Sequence, residues 1–467
     1  MDYITITDKK IPVVHTPDVF VAGGGCAGTG ALIAASRLGI KALGIERMFC
    51  LGGTMTGGLM SKIAIDARNR GLGQELVKRL DEYQGSHFLE SRPEVPVDPE
   101  IVKLMLDKMV IEEAKAEVHF GTTITDVIKE GRNIKAVIID SINGLEAVQA
   151  KYYIDCTGDG QLAFKAGASY LVGNDEGFGS SPTLMFRIGN VDIDRLISEM
   201  ETHKETLCVS ANNRYANHKK TPWQNRSDIA AGRYAHFADF IPYIEQKVKE
   251  NPGMFTDWEF KMMIQRGFIF MNQPQGTHVL VNCTRIPFFK GNDSTELTSA
   301  MLSGRKQMEA IFRFMKAFLP GFEKSFIMDS GAMLGIRESR RITGDYIFTE
   351  KDVEAMRKFD DAVVSNGGGI EIHSTTGRGT EIGEHFSEDH YNVPYRSVIA
   401  KDFDNLFMAG RCFSANHPAL SAARNIAYCM ALGESTGAAA AQLVHSGKSN
   451  VREIDIKALQ EQLKPIL

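Results

Sequence analysis

The stretch Asp18-Val19-Phe20-Val21-Ala22-Gly23-Gly24-Gly25-Cys26-Ala27-Gly28 couples a short apolar run to a glycine cluster, and small or apolar residues continue to Leu38. The apolar run suits a buried strand of a parallel sheet. The residues from Cys26 to Leu38, free of proline, suit a helix packed closely on that sheet. Gly23-x-Gly25-x-x-Gly28 therefore falls at a strand-to-helix turn. Gly23 permits the tight turn, Gly25 lets the backbone approach a pyrophosphate, and Gly28 lets helix and strand pack closely. The helix start offers N–H groups and partial positive charge. A second strand is expected over Ala42 to Glu46, which puts the Glu46 carboxylate 18 residues beyond Gly28. That is close to the spacing at which an acid bonds the ribose hydroxyls of a dinucleotide.

Outward from this turn, 467 residues with 43% hydrophobic content exceed what one compact domain usually uses, so two lobes are expected. The 53 basic and 58 acidic side chains leave a formal charge of −5, which supplies no footprint for nucleic acid. No stretch approaches the roughly 20 apolar residues that span a bilayer. The first twelve residues hold Asp2, Asp8, Lys9 and Lys10 and lack the apolar core of a signal peptide, so a cytoplasmic protein without a membrane partner is the expectation. The cysteines Cys26, Cys50, Cys156, Cys208, Cys283, Cys412 and Cys429 include no C-x-x-C pair and read as reduced thiols. A reactive Cys50 is the competing reading.

Further along, Asp98-Pro99 opens an amphipathic helix running to about Ala114. Val118–Phe120, Ile124–Lys129 and Ile134–Asp140 then read as one strand of the parallel sheet plus a β-meander. From Gly173 to Asp329 aromatics and Met are scattered, with strands expected at Phe268–Met271 and His278–Val281. A helix is expected over Ser294–Phe318, with Leu297, Met301, Met308, Ile311, Phe312 and Met315 on its buried face. Thr349-Glu350-Lys351-Asp352 has the capping-box pattern. Asn405–Ala409 reads as a strand and Pro418–Val444 as one long helix.

Two later segments decide which dinucleotide is held. Ile154-Asp155-Cys156-Thr157-Gly158-Asp159-Gly160 is a strand ending in Thr-Gly-Asp-Gly, placed where two-dinucleotide-fold flavoproteins return to the cofactor after an inserted meander. Near the C-terminus, Asn405 to Arg411 leads through Asn416 and His417 into a helix; this resembles two-dinucleotide-fold flavoproteins, in which the start of that helix points at the pyrimidine end of the flavin. Free N–H groups there favour the reduced, anionic ring.

The blocks VFVAGGGCAGTGALIAASRLGIKALGIER, LGGTMTGG, YIDCTGDGQLAFKAGA, GIRESRRITGDY, YNVPYRS and NLFMAGRCFSANHPALSAARNIAYCMALGESTGAAAA span residues 19 to 441. In combination they resemble the FAD-dependent oxidoreductases related to heterodisulfide reductase flavoprotein subunits and to glutathione-reductase-like flavoproteins. The resemblance implies FAD held by Gly23, Gly25, Cys26, Ala27, Gly28, Glu46, Arg47, Gly53, Thr54, Ile124, Thr157, Gly158, Asp159, Gly410, Arg411 and the Ser421-Ala422 turn. It implies no particular substrate. The chain lacks the cysteine spacing of iron–sulfur ligation, which sets it apart from the heterodisulfide reductase subunits.

The expected architecture is α/β: a Rossmann-like FAD domain over 1–172 and 385–467, with a second α+β substrate domain over 173–384. In Arg337-Glu338-Ser339-Arg340-Arg341, a strand would place Arg337, Ser339 and Arg341 on one face and Glu338 with Arg340 on the other. Arg337 and Arg341 read either as anchors for an anionic or polyhydroxylated substrate or for cofactor phosphate, or as a structural ion-pair network. His417 is a candidate proton carrier, with His373 and Tyr391 as rivals and an ordinary structural role as the alternative for each. His385 and His390 stand beside acids without the spacing of a known metal motif, and no metal is expected. The resulting expectation is hydride exchange between flavin N5 and a small polar organic substrate, with an unidentified electron partner and a possible homo-oligomer. The alternative is a flavin-binding electron-transfer subunit of a larger complex.

Overall fold

Five short strands lie parallel in the order Leu406–Met408, Tyr152–Asp155, Val19–Ala22, Ala42–Glu46 and Glu117–Phe120. Every residue of the first four is buried, as their near-continuous apolar sequences require of a sheet covered on both faces. The computed structural model describes residues 10–64, 71–86, 94–202, 236–274, 276–377, 380–382 and 389–467. Cys208 and His385 lie outside the described residues.

The helix Cys26–Arg37 follows the central strand and lies against the helix Ile426–His445. Their contact is backbone on backbone. A Cβ on Gly433 would stand 1.9 Å from the carbonyl oxygen of Ala27, and one on Gly437 would stand 2.4 Å from that of Ala31. Small residues at this crossing let the last fifty residues of the chain close over the first strand-helix unit. The four-stranded sheet Val13–His15, Gly144–Val148, Asn133–Ser141 and Thr123–Glu130 is the expected meander, joined by one further parallel strand from the N-terminus.

A second, antiparallel sheet runs His236–Asp239, Phe268–Asn272, His278–Val281, Phe186–Gly189 and Phe326–Ser330. Phe186, Phe268, Phe270, Phe314 and Phe322 are fully buried in its core. The helix Ser294–Phe318 starts where Asp293 accepts hydrogen bonds from the N–H groups of Thr295 and Glu296, at 2.8 and 2.9 Å. Its buried stripe is Ala300, Gly304, Gln307, Ala310, Ile311, Phe314 and Met315. The stripe is rotated from the expected one, and Leu297, Met301, Met308 and Phe312 are only partly buried. The close approach of Gly304 to Leu184 explains the rotation, because a Cβ there would meet the Leu184 Cβ at 2.8 Å. Phe348, Val353, Val363 and Val364, inside the span 173–384 assigned above to the second domain, pack instead in the core of the parallel sheet.

Two helices differ from their sequence reading. The helix opened by Asp98 is α-helical over Pro99–Asp107, then widens into a turn in which the Ala114 N–H reaches the Met109 carbonyl, five residues back, at 3.1 Å. The long helix expected over Pro418–Val444 is two helices, His417–Ala422 and Ile426–His445. Asn425 adopts an extended backbone (φ −63°, ψ 154°) and its carbonyl starts the second helix by accepting the Cys429 N–H at 2.8 Å, a position asparagine favours.

Glu434, on the second of these helices, accepts the Leu72 N–H at 3.0 Å. Burial is the main cause that pushes its carboxyl up from 4.5 to about 6. The folded protein thus holds this proton more tightly than the unfolded chain. The resulting stability is complete below pH 4.5 and is lost as pH rises through about 6. Glu434→Gln should be more stable than the parent at pH 7.5 by up to about 2 kcal/mol, with the gain gone at pH 4.5. Thermal unfolding at the two pH values checks this. Gly433→Ala should instead cost on the order of 3 kcal/mol through overpacking, read as a lower Tm at every pH.

Candidate active site

Four distant segments meet at the C-terminal ends of the parallel strands. Gly23 takes φ +95°, and a Cβ there would stand 2.7 Å from the carbonyl oxygen of Cys156. Gly28 comes so close to Gly23 that a Cβ would fall 1.8 Å from the Gly23 carbonyl oxygen. Gly25 bridges to Gly52, and the Cys26 thiol reaches the Gly52 carbonyl at 3.4 Å and the Thr54 hydroxyl at 3.8 Å. Gly410 packs on Ala27, with 3.0 Å from a built Cβ to the Ala27 Cβ. The segments 23–28, 52–54, 156–159 and 410–411 therefore pack against one another.

The Glu46 carboxylate is buried and held by two backbone donors, Gly24 N–H at 2.8 Å and Met48 N–H at 2.9 Å. Each oxygen keeps a lone pair with which to accept from a ribose hydroxyl. Arg47, next to it, is exposed. Ile124 lies on the meander strand Thr123–Glu130 and is 5% exposed in the core beneath it. In the Thr-Gly-Asp-Gly turn, the buried Asp155 accepts from the Thr157 N–H (3.0 Å), the Thr157 hydroxyl (2.7 Å) and the Ala163 N–H (2.9 Å). Burial raises the pKa of this carboxyl, and these hydrogen bonds pull the other way. Asp155 thus fixes the turn that carries Gly158 and Asp159. Burial also raises the Cys26 thiol, which stays protonated.

Arg411 lies across this turn, with Nη2 donating to Asp159 at 3.1 Å. Its Nη1 is buried and has no hydrogen-bond partner among the described residues. Beside it, the helix Cys26–Arg37 begins at Gly25 with no side-chain cap, and a Cβ on Gly25 would meet nothing nearer than the Gly53 Cα at 3.9 Å. An uncapped helix start, an unmatched guanidinium N–H and open space on the glycine turn are the features a pyrophosphate needs. The residues fit FAD.

The segment Arg337–Arg341 is mostly loop, and only Arg340–Ile342 forms a strand, antiparallel to Tyr170–Val172. The alternation expected of a strand therefore does not hold, and the five side chains reach five surroundings. Arg337 donates to the Ser181 carbonyl and, at 2.8 Å, to the Thr183 hydroxyl. Glu338, fully buried, contacts both Arg341 and His417. Ser339 donates to Asp159 at 2.7 Å. Arg340 lies 4.0 Å over the Phe164 ring. Arg341 also donates to the Gly173 carbonyl at 2.9 Å, so the ion-pair reading describes its position.

His417 is the first residue of the helix His417–Ala422, and its Nδ1 lies 2.5 Å from Glu338 Oε2. That helix has six residues, and the Asn416 side chain takes its Ala419 N–H at 3.1 Å, so its start presents fewer free N–H groups than the long helix expected from the sequence. His373 is buried, with Nδ1 3.3 Å from Arg285 Nη2. Tyr391 donates its hydroxyl to the Ala422 carbonyl at 3.3 Å and meets Asn366 Nδ2 at 2.6 Å, which places it in the packing behind Ser421-Ala422.

Sequence reading passed over Asp155, Glu338, Arg285 and Arg424. Asp155 and Glu338 stand inside quoted motifs, where an acid followed by backbone-bonding residues was the available signal. His15, Glu117 and His119 bring their ligand atoms within 4.8 Å of one another. His390 pairs with Asp389 at 3.5 Å.

A parallel sheet with a glycine turn, an acid at the end of the second strand, a returning Thr-Gly-Asp-Gly strand and an arginine over it define a dinucleotide-binding flavoenzyme. The description "FAD dependent oxidoreductase" matches residues 18–463, and the chain belongs to that family. Among solved structures, it is similar to the p-nitrophenol 4-monooxygenase of Pseudomonas putida, with 9% identity over 97% of this chain and 88% of that one and a TM-score of 0.50. It is also similar to a geranylgeranyl bacteriochlorophyll reductase-like protein of Thermoplasma acidophilum, with 13% identity over 96% and 83% and a TM-score of 0.48. No curated protein matches the chain. Among the described residues no helix is long and apolar enough to cross a membrane.

Arg411→Met removes the guanidinium with its unmatched Nη1 while keeping most of its apolar stem. FAD affinity should fall about 10- to 100-fold, the worth of one or two charge-assisted hydrogen bonds. Recovery of flavin fluorescence on dilution measures it.

Proposed function

We propose that this oxidoreductase exchanges hydride between flavin N5 and a small polar organic substrate bound between the two sheets' lobes, with His417 carrying the accompanying proton. The Glu338–His417 pair carries the reading. Glu338 is a carboxylate, which only accepts, so Nδ1 of His417 bears the hydrogen and the ring's tautomer is fixed. Arg341 balances the carboxylate's charge in a site where both side chains are at most 3% exposed. A histidine held this way can take a proton at Nε2 while Glu338 stabilises the imidazolium that results.

The same segment ties this pair to the cofactor cradle, because Ser339 bonds Asp159 and Asp159 bonds Arg411. FAD, when bound, supplies the two-electron acceptor and donor for the reaction. Arg337, whose guanidinium reaches toward Ser181 and Thr183 of the second lobe, is the residue we assign to substrate orientation. Kinship with heterodisulfide reductase flavoprotein subunits is supported by the six sequence blocks, without the cluster-binding cysteines of those proteins.

Anaerobic photoreduction of the flavin, followed by a screen for small molecules that reoxidise it and for donors that bleach it, tests the reading. A protein partner acting where no small molecule does would replace it with electron transfer. With an active compound in hand, His417→Ala should slow the half-reaction about 10²- to 10⁴-fold at pH 7 and remove one limb of its pH profile, with dithionite reduction unchanged. An unaltered pH profile would remove His417 from the proton path.

A further inference from the structure

Two sheets meet near the start of the chain, and each brings metal-binding side chains to the seam. Val13–His15 is an outer strand of the four-stranded sheet, and Glu117–Phe120 is an outer strand of the parallel one. Side chains alternate along a strand, so Glu117 and His119 stand on one face of Glu117–Phe120. His15, distant in sequence, reaches that face from the other sheet. The backbones beneath these side chains are fixed. The Gln149 N–H donates to the His15 carbonyl at 3.0 Å, and Glu117 and His119 are held in register with Leu43 and Ile45.

Three donor atoms converge at this seam. Glu117 Oε1 lies 2.8 Å from His119 Nε2 and 3.6 Å from His15 Nδ1. The two imidazole rings stand edge to face, with centroids 4.7 Å apart and planes at 82°. Across the whole group no two ligand atoms are more than 4.8 Å apart. Zinc binds imidazole nitrogen and carboxylate oxygen at about 2.0–2.2 Å, so tetrahedral neighbours sit roughly 3.4 Å from one another. The 2.8 and 3.6 Å separations bracket that figure, and small side-chain rotations would close the three atoms on one ion. The side chains of His15, His119 and Glu117 are 17%, 30% and 58% exposed, so an ion can enter from solvent and keep water in its remaining positions.

We propose that His15, Glu117 and His119 hold one divalent transition-metal ion of the zinc class, with water completing its coordination. Two of the three donors are imidazole, which suits zinc and its borderline neighbours and disfavours magnesium and calcium, whose ligands are oxygen. The ion fastens one sheet to the other and takes no part in the redox step. Glu117–Phe120 lies at the opposite edge of the parallel sheet from Leu406–Met408, the strand that leads to Arg411 and His417, four strand spacings or roughly 19 Å away. The strand it fastens is the neighbour of Glu46. Phe120 pairs with Glu46, and the Thr122 N–H donates to the Glu46 carbonyl at 3.1 Å.

The test takes the FAD-loaded protein, dialyses it against a chelator and titrates it with zinc sulfate, by calorimetry and in competition with a chromophoric chelator. One zinc per chain should bind and raise the Tm, because an ion held only by the folded protein stabilises it. Magnesium in large excess should not displace it. Binding should weaken between pH 7.5 and pH 5.5, since protons compete for the imidazoles. His15→Ala and His119→Ala should each weaken zinc at least about tenfold and remove the rise in Tm, given that losing even an outer-shell partner costs 10- to 100-fold. If a histidine variant fails to fold, Glu117→Gln, at the most exposed of the three positions, serves in its place and should weaken zinc likewise. Absence of stoichiometric zinc binding, or binding that survives these substitutions, would overturn the proposal and leave a carboxylate shared by two histidines. Displacement by magnesium would overturn the assignment to the zinc class.

Discussion

The crossing of the helices Cys26–Arg37 and Ile426–His445 is the constraint on which the rest of the structure depends. Where Gly433 and Gly437 meet the carbonyls of Ala27 and Ala31 there is no room for a side chain. The interior is close-packed, so even one methyl group at this crossing forces the helices apart. Separation would carry the strand Leu406–Met408 off the edge of the parallel sheet and take Gly410, Arg411 and His417 away from the glycine turn. The cradle is therefore a product of two chain ends held together by the absence of side chains between them.

Around that crossing, buried carboxylates do the positioning. Asp155 gathers the N–H groups of Thr157 and Ala163 and shapes the returning turn, and Glu46 does the same for Gly24 and Met48. Glu338 is different in kind, because it joins two charged or chargeable side chains, Arg341 and His417, from distant segments. A buried carboxylate without such partners would be neutralised, and with them it orients an imidazole. The run Arg337–Arg341 acts as a hub because it is irregular: successive side chains point to Ser181 and Thr183, the histidine, the cofactor turn, an aromatic ring and a backbone carbonyl.

The two sheets contribute different things. The parallel sheet and its helices build a site whose shape is set by backbone, which suits a large invariant cofactor. The second sheet and the segments returning from it deliver arginines, and there side-chain charge sets the character. Arg285 follows a strand of the antiparallel sheet and meets His373, whereas Arg424 comes from the broken C-terminal helix and meets the Glu371 carbonyl.

The sequence by itself determined the strand-glycine-helix unit, the acid at Glu46, the meander, the returning Thr-Gly-Asp-Gly strand and the helix Ser294–Phe318, because each is written in local periodicity and turn chemistry. It also determined the membership of FAD-dependent oxidoreductases, since the motifs recur in a fixed order along most of the chain. Only tertiary structure decided that the helix after His417 breaks at Asn425, that Ala300, Gly304 and Phe314 and not Leu297 and Met301 face the core, and that Glu338 faces His417 and not Arg340. It alone brought Arg285 to His373 and Arg424 to the Glu371 carbonyl, and His15 to Glu117 and His119. The physical reason is common to these cases. Local sequence fixes what a residue and its near neighbours prefer, whereas the partner of a buried charge, or the room beside a glycine, is set by segments hundreds of residues away.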